Sequence, residues 1–144
     1  MSTPPRPTVL FLCTGNSARS QIAEALLRHL AGDRFEVLSA GVAPAPQVHP
    51  LAVAVLEEAG IATAGLCPKT IEQIADRAGT PFVITVCDHA ARTCPTFPGA
   101  REREHWPLED PAAADGSDAE RLEVFRRTRD ELERRIRDWL ARHA

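Results

Sequence analysis

The sequence predicts an α/β fold built on a parallel sheet, and three observations carry that prediction. Apolar stretches of strand length, at Val9–Cys13, Phe35–Gly41 and Phe82–Val86, alternate with segments whose apolar residues recur at helical spacing. The run Phe82-Val83-Ile84-Thr85-Val86 is almost continuously apolar, the pattern of a strand buried on both faces. Cys13 and Cys87 each close such a run, and a parallel sheet of this class gathers its ligands at the carboxyl ends of its strands.

Size and charge narrow the options further. A chain of 144 residues is one domain that buries roughly two thirds of its unfolded surface, so it needs no staple. The expected division is a flexible N-terminal tail over 1–7, with three prolines, and a single catalytic domain over 8–144. A net charge of -3 leaves no electrostatic footprint for nucleic acid or an acidic membrane. No apolar run approaches the roughly 20 residues of a membrane span, and the start Met-Ser-Thr-Pro-Pro-Arg-Pro has no signal-peptide apolar region, so a cytoplasmic protein is expected. In that reducing compartment four cysteines point to catalysis or metal binding before structural disulfides.

The elements follow in order. After the first strand a helix is predicted from near Ser17, with Ile22, Leu26 and Leu30 on one face and Ala23 and Leu27 beside them, ending at Gly32-Asp33. Phe35, Val37 and Leu38 lead a short strand to Ser39-Ala40-Gly41, and Pro44, Pro46 and Pro50 mark the loop after it. Pro50 suits a first helical position, so Leu51–Ala59 reads as a helix stopped by Gly60. Thr70-Ile71-Glu72-Gln73 is a capping box that opens a short helix ending at Gly79. A weaker strand is expected around Arg103–Trp106. A second capping box, Ser117-Asp118-Ala119-Glu120, then opens a last helix with Leu122, Phe125, Leu132, Ile136 and Leu140 on one face. Its pairs Glu123/Arg127, Asp130/Arg134, Glu131/Arg135 and Glu133/Arg137 set acid before base at i,i+4 on a solvated face.

The chemistry starts in Cys13-Thr14-Gly15-Asn16-Ser17-Ala18-Arg19-Ser20. Gly15, Asn16 and Ser17 tolerate unusual backbone angles and local hydrogen bonding, so successive N–H groups can turn inward as an anion-binding nest. The following helix adds its unpaired N–H groups and positive dipole end, and the fork of Arg19 suits a tetrahedral oxyanion. A thiolate at Cys13 is favoured in that positive potential, and Ser20 is placed to donate to its sulfur. The oxyanion-binding set is therefore Thr14 to Ser20, with Cys13 as nucleophile.

A second chemical stretch, Cys87-Asp88-His89-Ala90-Ala91-Arg92-Thr93-Cys94-Pro95, sets two cysteines seven apart after the buried strand. There is no Cys-x-x-Cys and His89 is the one nearby nitrogen ligand, so no metal site is expected. Parallel-sheet geometry brings Cys87 out at the same edge as Cys13, within reach of exchange. In a single helix Cys87 and Cys94 would stand about 10 Å apart, beyond the roughly 7 Å that a disulfide allows between Cα atoms. Joining them requires the segment to loop or unwind. Asp110-Pro111 is by itself a plain turn signal.

Cys13, five residues, Arg19 and Ser20 after a first strand resemble the low-molecular-weight protein tyrosine phosphatase superfamily. Within it, Cys-Thr-Gly-Asn-Ser-Ala-Arg-Ser-Gln, then Cys-Asp-x-Ala-Ala-x-x-Cys-Pro-x-Phe-Pro-Gly, His-Trp and Glu-Asp-Pro-Ala, resemble the thioredoxin-coupled arsenate reductases over nearly the whole chain from Val9. The resemblance implies a four-stranded parallel sheet flanked by helices. It implies that Asp110, ahead of Glu109 and Asp115, is the general acid, and that arsenate is reduced to arsenite through a Cys13, Cys87 and Cys94 disulfide cascade. Thioredoxin or a similar thiol reductant then regenerates the enzyme. The tyrosine phosphatases of this fold lack the second cysteine pair and use aromatic residues for the substrate ring. This chain has no tyrosine and no aromatic from Val42 to Val48.

Two other readings of the residues stay open: a low-molecular-weight protein tyrosine phosphatase, needing Cys13, Arg19 and Asp110 alone, and a thiol redox sensor without turnover. A monomer is expected, as is a modest phosphatase side activity. Some relatives bind potassium behind the anion loop, and Asn16, Glu24 and Ser39 stand at matching positions, whereas Ala62 replaces an acid. Cys67 is read as incidental, His49 as a turn or cap residue, His29 and His143 as surface residues, and His105 and Trp106 as packing.

Overall fold

The computed structural model describes residues 6–86 and 97–143. Strands β1 (Thr8–Cys13), β2 (Glu36–Gly41), β3 (Phe82–Thr85) and β4 (Glu102–His105) form one sheet in the order β2-β1-β3-β4, each neighbouring pair parallel. The helices are α1 (Arg19–Ala31), α2 (Pro50–Glu58), α3 (Ile71–Ala78) and α4 (Asp118–Arg142), with a short 3-10 turn at Pro111–Ala113. The four-stranded parallel sheet implied by the resemblance is the one found.

Alternation along β1 divides the core into two layers. Val9, Phe11 and Cys13 face the side where Ile22, Leu26 and Leu27 of α1, Val55 and Leu56 of α2, and Phe125, Leu132 and Ile136 of α4 pack. Leu10 and Leu12 face the other side, against Ile74 and Ala78 of α3, with Leu38, Val83 and Phe97. All five apolar residues Val9–Cys13 are buried, so β1 is sealed on both faces and its register fixes where Cys13 emerges. Cys13 pairs with Gly41 at the carboxyl end of β2. On the other side β3 ends at Thr85, one residue short of expectation, yet the Val86 N–H still donates to the Leu12 carbonyl at 2.9 Å. The described stretch 6–86 therefore ends, at Val86, on the same sheet edge as Cys13.

Helix ends follow local chemistry. α2 opens with Pro50 at its first position and closes in a Schellman turn: Gly60, at φ 75°, lets the Gly60 N–H reach the Glu57 carbonyl and the Ile61 N–H reach the Leu56 carbonyl, both at 3.0 Å. Both expected capping boxes form, Thr70 with Gln73 and Ser117 with Glu120. α1 is the exception: it starts at Arg19, two residues later than the sequence suggests, and no side chain caps it.

Other differences have tertiary causes. On α4 the Glu131–Arg135 and Glu133–Arg137 pairs form, but Glu123 pairs with Arg126 and Arg134 with Glu131, while Arg126 and Arg129 cross to Glu58 of α2. Trp139, absent from the expected face, is buried against Phe35 and Phe82. His143 is no surface residue: its ring stacks on Trp139 with centroids 4.0 Å apart and bonds Glu102. Of the expected tail, Arg6 bonds the Gly32 carbonyl and the Glu36 carboxylate, and the Pro7 carbonyl accepts from Glu36 N–H.

Candidate active site

The loop between Cys13 and Arg19 is shaped by where its carbonyls go. The Thr14 carbonyl accepts from Ala43 N–H (3.0 Å), Gly15 from Ala45 N–H (2.9 Å), Ser17 from His49 N–H (2.8 Å), and Asn16 from the Gln21 side-chain amide (3.0 Å). With its carbonyls drawn outward to the 43–49 segment and to Gln21, the loop keeps its amides for the interior. The N–H groups of Gly15, Ser17, Ala18 and Arg19 donate to no atom of the described residues. Of the three residues that tolerate unusual angles, the one that makes the turn is Asn16, at φ 49°. Asparagine tolerates that region because its side chain bonds locally.

Asn16 is wholly buried and held from every side. Its Oδ1 accepts the Lys69 backbone N–H at 2.8 Å, which fixes the amide's orientation because that donor cannot accept. Nδ2 is then committed to donate to Ser20 Oγ (2.8 Å) and Ser39 Oγ (3.0 Å). Because Ser20 Oγ accepts from Asn16, its own hydrogen is available to Cys13 Sγ, 2.8 Å away. The Asn16 N–H approaches the same sulfur at 3.2 Å. Two donors thus converge on the buried sulfur.

Gly41 lets this loop lie against the end of β2. A Cβ there would sit 2.5 Å from the Thr14 carbonyl oxygen and 2.9 Å from that of Cys13, both backbone atoms with little room to yield. Opposite, Arg19 is the first residue of α1, and its Nη1 donates to the Leu108 carbonyl at 2.9 Å. That bond joins the cup to the loop carrying Asp110. Asp110 is exposed, and its Oδ1 accepts from Ala112 N–H at 3.0 Å, capping the 3-10 turn. A cavity of about 250 Å³ is lined by Cys13 to Arg19 and by Asp110.

His49, whose backbone N–H holds the Ser17 carbonyl, also fixes the start of α2. Its Nδ1 accepts from Leu51 N–H at 3.1 Å and so caps α2, and its ring lies over Phe125. Burial, and then the nearby Arg121, hold the imidazole below its ordinary pKa of 6.5 against the pull of Asp110, which keeps the capping nitrogen unprotonated.

Cys13, Thr14, Gly15, Asn16, Ser17, Ala18, Arg19, Ser20 and Asp110 thus meet at one place, Ser20 from behind the sulfur. Cys87 and Cys94 lie outside the described residues. Cys67 is exposed, and its carbonyl, at 2.8 Å from Gln21 Nε2, ties its segment to the anion loop. Sequence reading missed Leu108, Gln21 and Lys69, two of which act through backbone groups that leave no residue-type signal.

Asn16, Glu24 and Ser39 do converge behind the loop, but they do not fit a potassium ion. Asn16 turns nitrogen rather than oxygen to Ser39, and Ser39 donates its hydrogen to Glu24 Oε1 at 2.6 Å. The remaining oxygens are taken by side-chain cations. Glu24 Oε2 is 2.8 Å from Arg28, and Lys69 Nζ stands 3.5 Å from Glu24 Oε1 and 2.8 Å from the Cys67 carbonyl.

A parallel α/β sheet whose central strand delivers a buried cysteine into a nest of unpaired amides, closed by an arginine, defines a thiol site for a tetrahedral anion. The chain belongs to the low molecular weight phosphotyrosine protein phosphatase family, whose model matches residues 8–144. It is 44% identical over 133 residues to an arsenate reductase of Halalkalibacterium halodurans, covering 92% of this chain and 94% of the relative. An arsenate reductase of Bacillus subtilis is 39% identical over 132 residues, 91% of this chain and 93% of the relative. Among solved structures, an arsenate reductase in the phosphate binding state superposes with a TM-score of 0.78 at 34% identity, covering 96% of this chain and 99% of that one. A thioredoxin-dependent arsenate reductase of Corynebacterium glutamicum gives 0.64 at 36% identity, covering 94% of this chain and 64% of that one.

Proposed function

We propose that the protein is an arsenate reductase regenerated by thioredoxin or a similar dithiol protein, working in the reducing cytoplasm. The observation that carries the site assignment is Cys13 Sγ, held by Ser20 and Asn16 at the floor of a cavity that Asp110 also lines. Arsenate would bind to the free amides of the loop and the guanidinium of Arg19, whose charge and geometry match its oxygens. The Cys13 thiolate attacks arsenic, and Asp110 protonates the departing oxygen, which leaves as water. Cys87, as a thiolate, then attacks Cys13 Sγ. A sulfur–sulfur bond forms, the sulfur–arsenic bond breaks, and its electron pair stays on arsenic, which departs as arsenite. Cys94 attacks Cys87 in the same way, forming a Cys87–Cys94 disulfide and returning Cys13 as thiolate. Two electrons from the dithiol partner reduce that disulfide.

The family also supports a second reading, hydrolysis of a phosphate ester by Cys13, Arg19 and Asp110 without the other cysteines. One assay separates the two: NADPH consumption with thioredoxin and its reductase, with and without arsenate, beside hydrolysis of an aryl phosphate. Arsenate-dependent NADPH consumption supports the reductase. Its absence together with rapid ester hydrolysis would establish the phosphatase. NADPH consumption driven by peroxide and indifferent to arsenate would mark a thiol sensor.

A further inference from the structure

We propose that Lys69 is a built-in cation that positions the nucleophile's hydrogen-bond network, so that the protein works without a potassium ion. Glu24 is a carboxylate with 4% of its side chain exposed, and a charge so placed needs partners. Lys69, with 17% of its side chain exposed, brings its ammonium 3.5 Å from Glu24 Oε1 and donates to the Cys67 carbonyl at 2.8 Å. From Glu24 an unbroken chain of contacts leads to the sulfur. Ser39 donates to Glu24, Asn16 to Ser39 and to Ser20, and Ser20 meets Cys13. Lys69 grips that chain twice. Its ammonium shares the carboxylate at the far end with Arg28, which holds the other oxygen, and its backbone N–H holds Asn16 Oδ1 at 2.8 Å in the middle.

The direction of each hydrogen bond follows from those two grips. While Glu24 is an anion it accepts from Ser39, so Ser39 Oγ must accept from Asn16, and the other Asn16 N–H is left for Ser20. Ser20 then turns its hydrogen to Cys13. Arg28 stays on Oε2 at 2.8 Å when the Lys69 ammonium is removed, but Oε1, the oxygen that accepts from Ser39, then has no cation beside it and the order of donors loses its anchor. Lys69 touches neither the cavity nor its ligand, so it is a positioning residue. The inference rests on the geometry around Cys13 and holds whichever oxyanion the site takes.

The test uses purified full-length protein on a background in which Cys67, Cys87 and Cys94 are serine, so that iodoacetamide reports Cys13 alone. Melting temperature and alkylation rate at pH 7 are compared in potassium chloride and in choline chloride at equal ionic strength. In the protein with Lys69 both readings should be unchanged by potassium, whereas a resident ion at 100-fold its Kd would raise Tm by roughly 5–10 °C. Lys69→Met, which keeps the aliphatic stem, should slow alkylation by roughly 2- to 12-fold, the scale of one net hydrogen bond. Potassium should restore much of that rate, and Lys69→Met/Glu24→Gln should lose the response. A potassium-dependent rise in Tm with Lys69 present would overturn the proposal, even if the methionine variants do not fold. So would a Lys69→Met protein that alkylates at the parent rate in choline.

Discussion

Replacing Ser20 by alanine tests the part of the site on which catalysis depends first. Ser20 is wholly buried, its Oγ lies 2.8 Å from Cys13 Sγ, and it accepts a 2.8 Å bond from Asn16. Removing the hydroxyl takes away one of two donors to the sulfur and leaves an Asn16 N–H unpaired. A hydrogen bond to a charged group contributes about 1.5–3 kcal/mol, or roughly 10- to 150-fold in the rate of a displacement by the sulfur. The Asn16 N–H at 3.2 Å remains, which places the expected loss near the lower end, about 10-fold. Iodoacetamide alkylation at pH 7 reads it, on the same triple-serine background because Cys67 is exposed and would react as well. Ser20→Ala should alkylate about 10-fold more slowly than the parent. Ser20→Thr, keeping the hydroxyl, should recover most of the rate. Equal rates for Ser20→Ala and the parent would refute the role given to this hydroxyl.

Gly41→Ala should lower stability by about 1–3 kcal/mol, the usual cost of overpacking, with a matching fall in Tm and in Cys13 alkylation, because its Cβ meets two loop carbonyls. A normal melting curve would show that the β2 end does not buttress the loop. Asp110→Asn should slow the first displacement by roughly 100-fold or more, while Glu109→Gln leaves it near normal; the reverse result in single-turnover kinetics would move the acid by one residue. For Glu104 burial pushes the carboxyl up, but hydrogen bonds from Arg142 and Trp106 outweigh it and hold the pKa below 4.5. Such a group stabilises the fold fully above 4.5 and loses that contribution as pH falls through its lower folded value. Glu104→Gln should therefore cost about 1 kcal/mol at neutral pH and little at strongly acid pH, measured by denaturant titration.

Most of the site was legible because its chemistry is local. A cysteine, five residues and an arginine after an apolar run dictate a loop, and β1 fixes where that loop stands. Of the three loop residues that tolerate unusual angles, Asn16 takes the left-handed position, where its burial and bonds to Lys69, Ser20 and Ser39 offset the strain, and single-residue propensity does not choose among the three. Arg19 is steered by the Leu108 carbonyl, a backbone atom from 89 positions away. Lys69 carries no motif at all, and its importance appears when β2 pairs with Thr70 and brings residue 69 over Asn16. On α4 the i,i+4 rule located the charged face and two of its pairs, Glu131–Arg135 and Glu133–Arg137, but not the bonds from Arg126 and Arg129 to Glu58 of α2, which depend on how the two helices pack. Trp139 sits at helical spacing from Leu132 and Ile136, and the charge around it obscured that pattern.

The central claim is that Cys13 takes the oxyanion and is then released by two further thiols. The most direct measurement is a single turnover of the fully reduced protein with arsenate and no reducing partner, quantifying arsenite and mapping disulfides by mass spectrometry. One arsenite per protein with Cys87 joined to Cys94 and Cys13 free, and none from Cys13→Ser, is the predicted result. Arsenite formed equally well by Cys13→Ser, or a sole disulfide between Cys13 and Cys67, would contradict it.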